Sequence, residues 1–480
     1  MDVMGYPSHS ITNCKKNLIE KAVICMEKAF CLEPLDERKE FILEKNSSNN
    51  KKIDCEKNSI AGSISQRACV YCGARVVLNP ITDAYHIVHG PIGCAVYTWD
   101  IRGSLSSREE IYRNSFSTDL REEDIIFGGE KKLSAAIDEI VSQNSPKLIF
   151  VYATCVVGVI GDDLEAVCRE AERKHNIKVV PVQSSGFAGN KKDGYKAACH
   201  ALLSIMKMGL NVEKKEGINF LGDFNLAGEM WIVTDYLKKL GIKVNAKITG
   251  DSTFEEIKNA SKSELNIVQC AGSMTYLAKQ MEKEYEIPFI DVSFYGIEDT
   301  IESFEKVIDA LGVDYSKEVL NFIKEEALET KRILKDYEEL LKDKKAAIYV
   351  GGGFKAISLI KQFKELGMKT VMVGTQTGKP KEYETIRMLV DEGTIILDDS
   401  NPSELEKFMK EKGADILVGG VKERPLAYKL GIAFCDHNHE RKHPLNCFEG
   451  AINFAQEVHT SVNSPVWKLI RKELRDGHEE

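Results

Sequence analysis

Hydrophobic and polar positions alternate along this chain in two recurring patterns. Short, nearly unbroken apolar runs appear at Leu148-Ile-Phe-Val-Tyr-Ala-Thr154, Leu265-Asn-Ile-Val268 and Ala346-Ala-Ile-Tyr-Val350. Each is the mark of a strand buried on both faces of a parallel sheet. Between such runs lie stretches of helical periodicity. Several open on carboxylates, as in Gly161-Asp-Asp-Leu-Glu-Ala and Thr253-Phe-Glu-Glu-Ile, where the helix dipole favours negative charge. Strand and helix keep alternating, which predicts parallel sheets joined by right-handed crossovers.

Three such units follow one another, so the expected fold class is α/β: three Rossmann-like domains of parallel sheets flanked by helices. The first spans 61–212, with a helix over Lys131–Val141 and strands over Lys147–Thr154 and Lys178–Val182. The second spans 213–316, with strands starting at Ile218, Val244, Leu265 and Phe289 and a helix near Gly228–Leu240. A charged connecting helix covers 317–344. The third unit covers 345–460, with strands at Ala346, Thr370, Thr394 and Asp415 and helices over Ile357–Leu366 and Pro402–Lys412. Residues 1–60 read as an N-terminal extension: an amphipathic helix between Asn13 and Phe30, then a polar linker around Glu44–Lys52. Residues 461–480 read as a C-terminal tail. The repetition is of architecture, not of sequence.

Bulk properties narrow the function classes. The 480 residues are 43% apolar and 29% charged, with a net charge of −9. This gives no basic footprint for nucleic acid or an anionic membrane. No apolar run approaches the roughly 20 residues of a spanning helix, and Met1-Asp-Val-Met-Gly-Tyr lacks a secretory signal pattern. The expected location is the cytoplasm. There, thirteen cysteines are either small buried hydrophobes or metal ligands rather than disulfides.

Position selects among them. In open parallel sheets ligands bind beyond the carboxyl ends of the strands, where Cys155 and Cys270 stand. Cys69-Val-Tyr-Cys72 and Cys94 lie close together in sequence, and thiolates suit iron–sulfur clusters, zinc or copper(I). Cys14, Cys25, Cys31 and Cys55 read as packing or exposed thiols, and His86 and His89 as capping and packing residues. Gly351-Gly-Gly353 follows a strand but is not Gly-x-Gly-x-x-Gly, and the next strand ends without an acidic residue for a ribose. No Gly-x-x-x-x-Gly-Lys-Ser/Thr occurs, so ATP hydrolysis by this chain is not expected. Gly352 and Gly353 still allow backbone N–H groups to approach a polyanion, whether phosphate or cluster. Lys355 and Lys422 follow glycine pairs at strand ends, either steering an anion or lying on the surface. The run Cys435-Asp-His-Asn-His-Glu-Arg-Lys-His443 is either a solvated loop or a set of imidazoles and charges turned to a ligand.

Together, His89-Gly-Pro-Ile-Gly-Cys94, Trp99-Asp-Ile-Arg-Gly-Ser-Leu-Ser-Ser107, Phe127-Gly-Gly-Glu-Lys-Lys-Leu133 and Tyr152-Ala-Thr-Cys155 followed by Ile160-Gly-Asp-Asp163 resemble the nitrogenase component 1 superfamily. The likeness runs over residues 61–468. Within the superfamily the chain is most similar to the scaffold branch serving iron–molybdenum cofactor biosynthesis. The resemblance implies a [4Fe–4S] cluster at a subunit interface, held here by Cys69, Cys94 and Cys155 and by one cysteine of the partner. Cys72 falls where the family need not have cysteine. It also implies an α2β2 heterotetramer with a NifN-type β subunit and an iron–sulfur–carbide precursor from a NifB-type donor. Molybdenum and homocitrate would be inserted with the nitrogenase Fe protein, and the product passed to apo-nitrogenase as acceptor. Cys270 occupies the place that anchors the cofactor in the catalytic homologue.

The alternative within the superfamily is that homologue itself, the catalytic α subunit. His437 stands about twelve residues before Glu449-Gly450, matching its metal-coordinating histidine. Against it, Asp436-His-Asn-His-Glu-Arg441 resembles the scaffold's Asp-x-Asn-x-Glu-Arg pattern. The loop Gly186–Tyr195 also lacks the glutamine and histidine the catalytic subunit places over its cofactor. Without a proton-delivering imidazole there, little or no substrate turnover is expected. The expected cofactor-guiding set is Cys270, His437, Lys355, Lys422, Gly352 and Gly353.

Overall fold

The computed structural model describes residues 36–46, 52–53, 55, 68–98, 114–209, 216–269, 271–312, 317–438 and 440–467. The strands are β1 (Ile42–Glu44), β2 (Ala84–His89), β3 (Ser115–Ser117), β4 (Leu148–Ala153), β5 (Lys178–Val182), β6 (Ile218–Leu221) and β7 (Val244–Ile248). They continue as β8 (Leu265–Val268), β9 (Phe289–Asp291), β10 (Lys345–Val350), β11 (Lys369–Thr375), β12 (Ile395–Asp398), β13 (Ile416–Gly419) and β14 (Ala433–Asp436). The helices that position the sites are α1 (Val70–Leu78), α2 (Ile92–Tyr97), α3 (Glu122–Phe127), α4 (Cys155–Ile160) and α5 (Lys191–Met206). Further along come α6 (Glu229–Lys239), α7 (Lys317–Leu341), α8 (Gly353–Glu365), α9 (Pro380–Leu389) and α10 (Cys447–Val462).

Three sheets result. The first has the order β3-β2-β4-β5 and the second β7-β6-β8-β9, both wholly parallel. The third runs β1-β12-β11-β10-β13-β14 and is parallel except at β1. Every residue of β4, β6, β8, β12, β13 and β14 is buried, as the unbroken apolar runs predict. Aromatic packing links layers in the second domain: Phe294 lies 5.9 Å from Phe220 and 5.1 Å from Phe304, centroid to centroid. Among the described residues no helix is long and apolar enough to cross a membrane.

One expectation is corrected. Residues 36–46 belong to the third domain rather than to a separate extension. β1 pairs antiparallel with β12, Ile42 opposite Leu397 and Leu43 opposite Ile396. The buried Arg38 donates to the Asp398 and Asp399 carbonyls at 2.9 and 3.1 Å and pairs with Glu404 at 3.0 Å. A three-residue edge strand is too short to show periodicity, and its anchor is a charge that sequence reads as exposed. Cys55 is buried in the same core. The expected amphipathic helix, with Cys14, Cys25 and Cys31, lies outside the described residues.

Several helices go beyond the expectation, three of them long. α9 fills the gap between β11 and β12, α5 follows the Gly186 loop, and α10 closes the chain against α7. The approach of α1 to α5 depends on two glycines. A Cβ on Gly73 would lie 2.2 Å from the Lys191 carbonyl oxygen, and one on Gly194 would lie 2.0 Å from that of Val70. Only glycine lets these backbones meet so closely, and the contact fixes both ends of the first site described below.

Candidate metal centre and cofactor cleft

Three cysteines from three helix starts converge on one face of the first domain. Cys69 is the N-cap of α1 and is tied by a backbone bridge to Asn190, the N-cap of α5. Cys94 lies in α2, and Cys155 is the first residue of α4. The Gly186 N–H donates to the Cys155 sulfur at 3.2 Å. A Cβ on Gly186 would sit 2.9 Å from the Cys155 Sγ, 3.3 Å from the Cys69 Cβ and 3.9 Å from its Sγ. Any side chain at 186 would therefore fill the space between the thiols. Unpaired N–H groups at helix starts favour negative sulfur.

Burial works the other way. It raises the Cys69 and Cys94 thiols above their ordinary value, and neighbouring thiols add to the rise. Loading a metal must therefore expel protons. Among the described residues no three His, Cys, Asp or Glu side chains gather closely enough for a single ion. The donor set is soft and open on one side, and thiolates of this kind suit an iron–sulfur cluster better than a single hard ion.

The other sequence-marked residues of this domain fall behind that face. Cys72 is buried, with the Tyr97 hydroxyl against it. His89 bridges Thr118 and Asp162, 3.0 Å from each. His86 bonds the Tyr152 hydroxyl at 2.9 Å. Around the cysteines the surface is apolar and open: Val159 is 75% exposed, Phe187 64% and Val96 64%, with Ile92 and Tyr97 beside them. α3 adds Ile126 and Phe127, the latter 86% exposed. Exposed apolar side chains gathered in this way mark a protein-binding surface.

A second site lies where all three domains meet. A cleft of about 740 Å³ is lined by Lys191 and Tyr195 of α5, by Gly222, Asp223 and Phe224 after β6, and by Gln269 after β8. Tyr295, Gly351, Gly352, Phe354, Lys355, Glu382, Asn438 and Arg441 complete much of its wall. These are the carboxyl ends of the parallel strands, where the connections leave room for a ligand.

Its floor is a buried polar network. Asp223 accepts from the Gln269 and Asn446 side-chain amides, each at 3.0 Å, and from the Asn225 N–H at 2.8 Å. Arg441 Nη1 stands 3.1 Å from Glu229 Oε1, an ion pair without the alignment of a hydrogen bond. Burial pushes the Glu229 carboxyl up, and the Arg441 charge opposes it. These contacts tie the 223–229 loop of the second domain to the 438–446 segment of the third.

The sequence-predicted cofactor residues divide. Lys355 lines the cleft and donates to the His437 carbonyl at 3.1 Å. Gly352 lines it as the N-cap of α8. Gly353 instead packs under Glu382, whose carboxylate reaches the Phe354 N–H and stands where an anion would approach the helix start. His437 is fully buried with neither ring nitrogen bonded, edge-on to Tyr295 at 5.2 Å. Burial and the nearby Lys355 and Arg441 charges hold its imidazole well below the usual range, hence neutral. Lys422 does not reach the cleft; it lies 5.9 Å over the Tyr97 ring, on the cysteine side. Cys270 lies outside the described residues, immediately after Gln269. Sequence reading missed Asp223, Glu229 and Tyr295; the Gly222-Asp223 pair at the end of β6 was the available signal.

Comparison with known proteins agrees with this geometry. The family model for nitrogenase component 1 type oxidoreductases matches residues 69–463. The chain is 68% identical, over 87% of its length and 91% of the relative's, to the nitrogenase iron-molybdenum cofactor biosynthesis protein NifE of Clostridium pasteurianum. It is 52% identical to the NifE protein of Methanosarcina barkeri, covering 93% of this chain and all of that one. Among solved structures, nitrogenase Cp1 at pH 5 superimposes with a TM-score of 0.81 at 31% identity, over 90% of this chain and 96% of the other.

Proposed function

We propose, from the premise that this chain belongs to the nitrogenase component 1 family, that it is the scaffold subunit on which the nitrogenase iron–molybdenum cofactor is matured. The named role of its relatives carries the reading. The geometry supports it, because a fixed centre and a transit site are separate places on the same chain.

Cys69, Cys94 and Cys155 hold three corners of a [4Fe–4S] cluster, and a NifN-type β subunit supplies the fourth ligand in an α2β2 assembly. The open cysteine face and its apolar rim support this. When bound, the cluster supplies one-electron chemistry. The chain's own part is to present thiolates at helix starts and, through Gly186, to leave room between them. The cleft receives an iron–sulfur–carbide precursor from a NifB-type donor, with Cys270 and Lys355 guiding it and His437 beside it as a neutral imidazole. Molybdenum and homocitrate enter there with the Fe protein, and apo-nitrogenase takes the product. Tyr195 lies on the cleft wall, and by the family resemblance it stands near the place of the catalytic homologue's proton-delivering histidine, which supports a chain with little or no substrate turnover of its own.

The test is to incubate the loaded complex with molybdate, homocitrate, Fe protein and ATP and to assay activation of apo-nitrogenase. Activation is expected. Its absence, together with intrinsic acetylene reduction by the complex, would establish the catalytic α subunit instead.

A further inference from the structure

Arg75 stands on α1 six residues after Cys69, and among the described residues no carboxylate answers its buried charge. It is 1% exposed. Its Nη2 donates to the Ser115 hydroxyl, and its guanidinium carbon lies 5.4 Å from the centre of the Tyr152 ring. Nε and Nη1 have no hydrogen-bond partner, and among the described residues no Asp or Glu forms an ion pair with it. The groups around it are neutral. His86 is held uncharged by burial and by Arg75 itself, and the Tyr71 hydroxyl is bonded to Thr98 at 2.6 Å. Burying a lone cation costs several kcal/mol unless an opposite charge meets it.

The cysteine face at the other end of α1 is one place where such a charge can arise. Six residues at 1.5 Å of rise place Arg75 about 9 Å along α1 from Cys69. The space between is packed protein: Tyr71 meets Tyr152 edge-on at 5.8 Å, and its Thr98 partner closes the helix that carries Cys94. Salt screens poorly across such an interior. Thiolate-bound iron–sulfur clusters are anionic, and each added electron makes them more so.

We propose that Arg75 is the buried countercharge of the interface cluster and raises its reduction potential by favouring the reduced, more negative form. This rests on the reading of Cys69, Cys94 and Cys155 as cluster ligands. Arg75 acts at a distance, as a positioning charge, and the step it biases is transfer of one electron from a low-potential donor with no bond made or broken.

An EPR-monitored redox titration of the anaerobically purified complex with its partner, poised with dithionite, tests this. Arg75→Gln should shift the midpoint to lower potential, and Arg75→Lys should return it toward wild type. Ser115→Asp leaves Arg75 in place but sets a carboxylate against its Nη2, so it too should lower the midpoint. That variant decides the matter if Arg75→Gln does not fold. An unchanged midpoint in every folded neutralising variant, with the cluster signal intact, overturns the proposal. A wild-type complex with no cluster signal sinks the ligand assignment, and the proposal with it.

Discussion

The cysteine face and the three-domain cleft are built on opposite plans. On the face, Cys155 is exposed, Cys69 and Cys94 are half covered, and the neighbouring side chains are apolar and open to water. Among the described residues no further cysteine joins these three on that face. In the cleft, Asp223 accepts from Gln269 and Asn446, Arg441 pairs in charge with Glu229, and the walls come from every domain of the same chain. The first is an open apolar surface, and the second is a cleft walled by a buried polar network.

Substitutions should separate the two. The largest effect belongs to the cysteines: replacing Cys69, Cys94 and Cys155 together by alanine should abolish the small cluster's EPR signal while iron added as precursor is still retained. Cys72→Ala should keep the signal. Loss of both iron pools in the triple variant would mean that the sites are not independent.

Next comes the buried ion pair. Arg441→Met leaves Glu229 charged and alone, which should cost about 3–5 kcal/mol and lower the melting temperature of the complex. Arg441→Met with Glu229→Gln should recover much of that loss; equal loss in both variants would mean that packing, not charge, is at stake.

Within the cleft, Lys355→Met removes a cation and its bond to the His437 carbonyl. It should speed release of bound precursor roughly tenfold, a difference of about 1.4 kcal/mol, measured as iron retained through gel filtration. The interface cluster should not change. On the cysteine face, Phe187→Ser should weaken association with the partner by about 1–2 kcal/mol if the rim is an energetic centre. The lone chain's stability should shift by no more than about 0.5 kcal/mol. Sedimentation at graded concentrations reads the first and thermal melting the second.

The smallest effect concerns pH. Burial holds the Glu365 carboxyl at about 7 although the Ile297 and Glu298 N–H groups donate to it. The folded state therefore binds an extra proton between the ordinary value of 4.5 and about 7. The stability it contributes is complete below 4.5 and is lost as pH rises to about 7. Glu365→Gln should flatten the melting-temperature profile across that window and leave both iron pools alone. A parallel profile would discard the assignment.

Much of this was legible before any coordinates. The unbroken apolar runs at Leu148, Leu265 and Ala346 determined buried parallel strands, because only strands covered on both faces can be apolar at every position. Carboxylates in the first turns of the helices at Leu164 and Phe254 marked where those helices start. Motifs around Cys69, Cys94 and Cys155 pointed to their shared role.

Tertiary structure alone decided the rest. Nothing local in the sequence marks Arg38 or Arg441 as buried, yet both are, because their partners Glu404 and Glu229 lie hundreds of residues away. Lys355 and Lys422 follow similar glycine pairs, yet one lines the cleft and the other covers Tyr97. Cys69 and Cys72 form one Cys-x-x-Cys pair in the sequence, yet Cys69 is the extended N-cap that stays beside Cys155 while Cys72 lies within α1 and is buried. Local pattern fixes elements through short-range sterics and burial. Which charge meets which, and which thiol faces out, depends on domain packing that no local window contains.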